Sequence, residues 1–228
     1  MTAPAFVNST TAGNGTGANV VVTRASTTTD QYNIIDIYVE DTPAGLSFNN
    51  GSWTLIGSAI LQTGPAPDFK HFRYREKYAG AGASVTVSGW TGSPWRTATC
   101  VAYSGVDTTT AEDTTATGQA SASSSASAVA PTLTTVTADA KVVYSETNFD
   151  GNTCTPPTSY NERVDFGNVE VADLDYATAG AVGNQTGTVS AAAWNTAGLY
   201  ALRPAVPGGG GGPAAVQPPM RTLRGAGI

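Results

Sequence analysis

A single histidine, His71, stands in the run DFKHFRYREKY, so any catalytic triad or imidazole metal site in these 228 residues has only that ring to use. Alternation along the run puts Phe69, His71, Arg73 and Arg75 on one strand face, and Lys70, Phe72, Tyr74 and Glu76 on the other. That pattern predicts a half-exposed strand histidine, not a catalytic base. Carboxylates pair more suggestively. In VEVADLDY, Asp173 and Asp175 share a face with Glu170 opposite, and Asp36 and Glu40 share a face earlier in the chain. Glycoside hydrolysis needs two carboxylates about 5–10 Å apart across a cleft. Charged strand residues are mostly solvated, and solvated strand faces are the expectation here. No Gly-x-Ser-x-Gly, His-Glu-x-x-His, phosphate-loop or zinc spacing occurs, and no local Asp run supplies enough oxygens for calcium. The residues predict no enzyme, no cofactor and no metal.

Four tryptophans, Trp53, Trp90, Trp95 and Trp194, could build an aromatic sugar platform. Trp95 and Trp194 sit at the starts of strands in matching positions, which favours packing. Trp90, in the glycine-rich turn SGWTGSPW, is the candidate for an exposed glycan contact. Cys100 lies within a strand and reads as a small buried hydrophobe. A Cys100–Cys154 bridge is the alternative, disfavoured by the reducing compartment that a missing secretion signal implies. Sequons at Asn8, Asn14, Asn50 and Asn184 are expected by chance in so Asn/Ser/Thr-rich a chain.

The elements that must carry these residues are strands. Helical periodicity is nearly absent, while short alternating or β-branched runs recur between Gly, Pro, Asn and Asp. Strands are predicted near 19–24, 33–40, 52–59, 69–77, 83–88 and 96–103, then near 133–136, 141–146, 160–165, 169–176, 187–192 and 197–202. Such spacing predicts an all-β fold, an antiparallel two-sheet sandwich of jelly-roll-like form. An internal echo aligns Tyr78 with Tyr176, Val87-Ser88 with Val189-Ser190, Trp95 with Trp194 and Tyr103 with Tyr200. It predicts one sandwich domain over 1–206, of two similar halves, about 1–107 and 129–206, packed face to face. The Ser/Thr/Ala-rich stretch 108–128 reads as a surface connection without core-forming residues.

Hydrophobic residues make up 40% of the chain, enough for a core, but charged residues only 12%. The formal charge of −6 argues against general binding to nucleic acid or an anionic membrane. No basic-then-apolar leader and no apolar run near 18 residues is visible, so synthesis in the cytoplasm is expected. From Pro207 the chain reads PGGGGGPAAVQPPMRTLRGAGI, a Gly/Pro-rich arm over 207–228 that cannot pack a core of its own. Extended, it reaches on the order of 70 Å. Removing Arg221 and Arg224 from the 11 basic residues leaves 9 against 17 acidic ones, or −8 for the body. A cationic, apolar-tipped arm on an acidic body suits subunit docking through Met220, Arg221, Leu223, Arg224 and Ile228.

GSWTLIGSA, FRYREKYAGAGASVTVSG, WRTATCVAYSGVD, CTPPTSYNERVDF and GLYALRPA together resemble a β-sandwich domain that recurs in virion proteins of tailed bacteriophages, particularly those of actinobacterial hosts. The resemblance spans about 7–204. It implies a non-enzymatic structural protein, a minor tail or tail-tip component or, alternatively, a capsid decoration protein. Its location would be the virion. Its partners would be other virion proteins and copies of itself. A carbohydrate-binding adhesin module contacting host surface glycan is the reading from another class. The LSFNNG insert and the Thr-rich connection depart from the domain's pattern, and no active-site residue carries over.

Overall fold

The computed structural model describes residues 1–206, which form seventeen β-strands and, among the described residues, no helix. The first half contributes β1 (Ala5–Thr16), β2 (Val20–Thr23), β3 (Tyr32–Val39), β4 (Ser47–Phe48), β5 (Thr54–Leu55), β6 (Ile60–Gln62), β7 (Phe69–Lys77), β8 (Ser84–Ser88) and β9 (Trp95–Ser104). The second contributes β10 (Thr117–Ala120), β11 (Ser125–Ala130), β12 (Ala140–Asn148), β13 (Cys154–Thr155), β14 (Asn161–Phe166), β15 (Val169–Tyr176), β16 (Gln185–Ala193) and β17 (Asn195–Leu202).

Each half is itself a sandwich. In the first, the order β1-β9-β3-β7-β5 faces a smaller sheet, β2-β8-β4. In the second, β10-β17-β12-β15-β14 faces β11-β16-β13. The two orders are the same when β1–β5 and β7–β9 are matched in sequence to β10–β17. Only β6, an extra strand on β7, has no counterpart. Successive strands alternate between a larger and a smaller sheet except at β5–β7 and β14–β15, which stay in the larger one; all pairs are antiparallel, and the arrangement is jelly-roll-like. The predicted fold class is thus observed twice over. The buried apolar residues form three cores between the four sheets.

The three cores explain why the middle strands show no solvent face. Along YNIIDIYV, odd residues Ile35, Ile37 and Val39 pack toward the outer sheet with Val20, Val22, Val85, Val87 and Phe72. Even residues Tyr32, Ile34 and Tyr38 pack toward the second half, against Val143, Val169, Val171, Tyr200 and Leu202. A matching outer core joins Val142, Tyr144 and Leu199 to Ala128, Ala130 and Val189. Every residue of β3, β12 and β17 is buried. Each fully buried large apolar side chain in the middle layer contributes about 1.5–3 kcal/mol. The central sheets also meet closely. At Gly198 a Cβ would lie 2.5 Å from both Arg73 Nη1 and the Thr117 carbonyl, so only glycine admits the buried guanidinium there.

Two sequence expectations change here. Residues 108–128 are more than a surface connection: β10 pairs with β17, β11 begins at Ser125, and Ala111 and Asp113 are buried. Small residues without alternation gave no strand signal, but they fit where two strands edge a crowded layer. The run 133–136, expected as a strand, makes only an isolated bridge, Thr134 to Ala181.

Candidate functional site

Polar side chains concentrate between the two central sheets, and the alternation of β3, β7 and β17 puts them there. Asp36, His71, Arg73 and Thr196 all fall on strand faces that look into the middle layer. His71 Nε2 lies 3.1 Å from Asp36 Oδ1, and His71 Nδ1 lies 3.1 Å from Thr196 Oγ1. Thr196 Oγ1 is in turn 2.8 Å from Thr147 Oγ1. Burial, opposed by Asp36, lowers the His71 pKa and keeps the ring neutral. A neutral ring has one N–H. With the Asp36 carboxylate as acceptor, Nε2 carries it, Nδ1 accepts from the Thr196 hydroxyl, and Thr147 donates to Thr196.

Hydroxyl, imidazole and carboxylate therefore stand in the order that nucleophilic catalysis uses. Their accessibility decides against that chemistry: Asp36, His71 and Thr196 are each 0% exposed. A substrate carbonyl could reach Thr196 only if the sandwiches separated. The half-exposed histidine expected from alternation is corrected. The face assignment was right, but a second sheet covers that face.

The carboxylates are corrected in the same way. Asp36, Glu170 and Asp173 are buried rather than solvated, whereas the Asp175 side chain is largely exposed. Asp173 receives Arg163 through both oxygens, Nε at 2.7 Å and Nη2 at 2.9 Å, and the Tyr103 hydroxyl at 3.0 Å from the opposite sandwich. Lys141 approaches Asp173 at 3.6 Å and bonds Asp175. Arg163 also lies over the Phe6 ring at 4.5 Å. Opposite this layer, Glu146 and Glu170 pair across β12 and β15 on the outer-core side. Their carboxyl oxygens are buried without a hydrogen-bond partner among the described residues. Burial is the main cause that raises both, Glu170 to about 10, so both are neutral acids at pH 7.

Trp90 is also corrected. It is 9% exposed, belongs to the first outer core, and donates its Nε1–H to the Gly17 carbonyl at 2.9 Å. Trp95 is the exposed one, at 38%. It sits at the seam between the sandwiches, where its Nε1–H donates to Asn168 Oδ1 at 3.1 Å. The same oxygen accepts from Thr97 at 2.9 Å, and the Asn168 amide donates to the carbonyls of Asn148 and Phe149. Trp95 and Asn168 line a cleft of about 350 Å³ together with Asn14, Glu40, Phe149 and Asp150. The backbone N–H of Glu40 donates to the Trp95 carbonyl at 2.9 Å. Burial raises the Glu40 pKa against a hydrogen bond from Tyr38. Sequence reasoning treated Trp95 as packing because its position repeats. The cue it lacked was the turn carrying Asn168, which belongs to the other half.

Cys100 and Cys154 are both free and buried. Among the described residues no group of three or more His, Cys, Asp or Glu side chains is placed to hold a metal ion, and no helix is long and apolar enough to cross a membrane. The proposed docking residues Met220, Arg221, Leu223, Arg224 and Ile228 lie outside the described residues. No known protein family, curated protein or solved structure matches this chain.

Proposed function

We propose that this protein is a non-enzymatic structural component of a tailed-phage virion, a minor tail or tail-tip protein anchored by its C-terminal arm. One observation carries the structural part of this reading. The groups with catalytic potential, Asp36, His71, Thr196, Asp173 and Arg163, are spent joining two jelly rolls across a buried layer. Chemistry used in this way gives a rigid double module suited to assembly. The phage assignment rests on the sequence resemblance over 7–204, and the anchoring role on the cationic, apolar-tipped composition of 207–228. Sedimentation of the purified chain with and without 207–228, mixed with particles lacking the protein, tests it. Binding by the full chain and not by the shortened one is the expected result. Equal incorporation of both removes the arm's role, and binding by neither removes the virion reading.

A further inference from the structure

We propose that the seam cleft beside Trp95 binds a neutral saccharide. This goes beyond the assembly role and does not depend on it. The indole is fixed by its bond to Asn168, whose amide is itself held by two backbone carbonyls across the cleft floor. Trp95 is 38% exposed in a chain whose other tryptophans are more covered. A hydrogen-bonded, partly exposed indole among polar lining groups suits a ligand with an apolar side and a hydroxylated rim, which is the character of a pyranose ring. The hydroxyl partners are present: the exposed Asp150 carboxylate and the partly exposed Glu40 carboxylate accept, and the exposed Asn14 amide both donates and accepts.

The volume, about 350 Å³, lies within the range of about 300–1,000 Å³ typical of small-ligand sites. Two carboxylates and no Lys, Arg or His among the lining residues disfavour anionic sugars and phosphates. A cationic ligand is the competing chemistry, since carboxylates and an aromatic face also attract ammonium groups. Such sites enclose the cation with several rings. Here Phe149 is engaged in stacking with Phe69 at 6.3 Å, which leaves one platform rather than a cage.

Both halves build the site. Glu40, Asn14 and Trp95 come from the first sandwich, and Phe149, Asp150 and Asn168 from the second. A single jelly roll would lack it, so the inference follows from the fusion of two.

The test uses the full chain without particles, so its failure is distinguishable from failure of the assembly reading. The probes are cellohexaose, mannohexaose, maltohexaose and tetra-N-acetylchitotetraose, with choline as the cationic control. Binding is followed by calorimetry and by the indole N–H resonances in a ¹H–¹⁵N spectrum. At least one saccharide is expected to bind and to shift the Trp95 indole signal while Trp53 and Trp90 stay in place. Trp95→Ala should weaken that binding roughly tenfold or more, the size of a lost aromatic stacking contact. Asp150→Asn, at an exposed position that leaves the fold intact, should weaken it as well. Binding of choline alone, binding of none of the four saccharides, or saccharide binding unchanged in both variants would overturn the proposal.

Discussion

Tyr103 on β9 donates its hydroxyl to Asp173 on β15 at 3.0 Å, and both residues are fully buried although they belong to different sandwiches. Tyr103 presents an apolar ring to the middle core and its polar tip to a carboxylate that Arg163 neutralises. Tyr103→Phe should keep the ring packing and lose one charge-assisted hydrogen bond, at a cost of about 2 kcal/mol. Asp173→Ala should cost more, about 3 kcal/mol, because it also leaves the Arg163 guanidinium without its carboxylate, while Lys141 keeps Asp175. Urea unfolding of the two variants checks both the order and the size. Equal effects would mean that the Arg163 pair adds nothing beyond the tyrosine contact.

Glu170 gives a prediction with a definite sign. Its folded pKa, about 10, lies above the ordinary value of 4.5, so the folded state binds a proton that the unfolded state releases. Its contribution is fully present below about pH 4.5 and is lost as pH rises toward 10. Glu170→Gln keeps the shape and removes the titration. The variant should therefore match the parent near pH 4 and become progressively more stable than it from pH 5 to pH 9. Melting temperatures measured side by side across that range check this. A constant difference would show that Glu170 does not titrate between the two states.

His71 works in the opposite direction. Burial depresses its pKa below the ordinary 6.5, so the unfolded state takes up a proton that the folded state refuses. Its contribution is present above pH 6.5 and is lost as pH falls. His71→Gln should narrow the gap in stability between pH 7.5 and pH 5, whatever its effect at neutral pH. Chemical denaturation of parent and variant at the two pH values reads the difference.

The strands were legible where their residues are large and branched, and invisible where they are small. Phe69–Lys77 and Val169–Tyr176 were read to the residue, because bulky side chains bounded by turns leave little choice. β1, Ala5–Thr16, was missed. It is an edge strand of Ser, Thr, Gly and Asn, mostly exposed, and it is held by pairing with β9 rather than by an apolar face. The face of each charged residue was also legible, since alternation is local. Burial was not. Whether His71 meets water depends on β17, more than a hundred residues later, which brings Thr196 to its ring. The seam cleft was hidden for the same reason: Trp95 and Asn168 meet only after the halves pack.

Both thiols should be silent in the native state. Cys100 and Cys154 are buried, and burial pushes the Cys100 thiol up to about 12 and Cys154 higher still, so neither supplies reactive thiolate. A thiol reagent at pH 8 should label no cysteine in the folded protein and two after denaturation without reductant. Labelling of neither after denaturation would instead mean a disulfide.

The central claim is that two jelly rolls are fused through their central sheets into one cooperative body. Scanning calorimetry of the full chain tests it most directly. A shared middle core and the buried Asp36–His71–Thr196 and Tyr103–Asp173–Arg163 links predict one transition, with calorimetric and van't Hoff enthalpies equal. Two resolved transitions, or a van't Hoff enthalpy near half the calorimetric one, would show sandwiches that fold independently and would contradict the account.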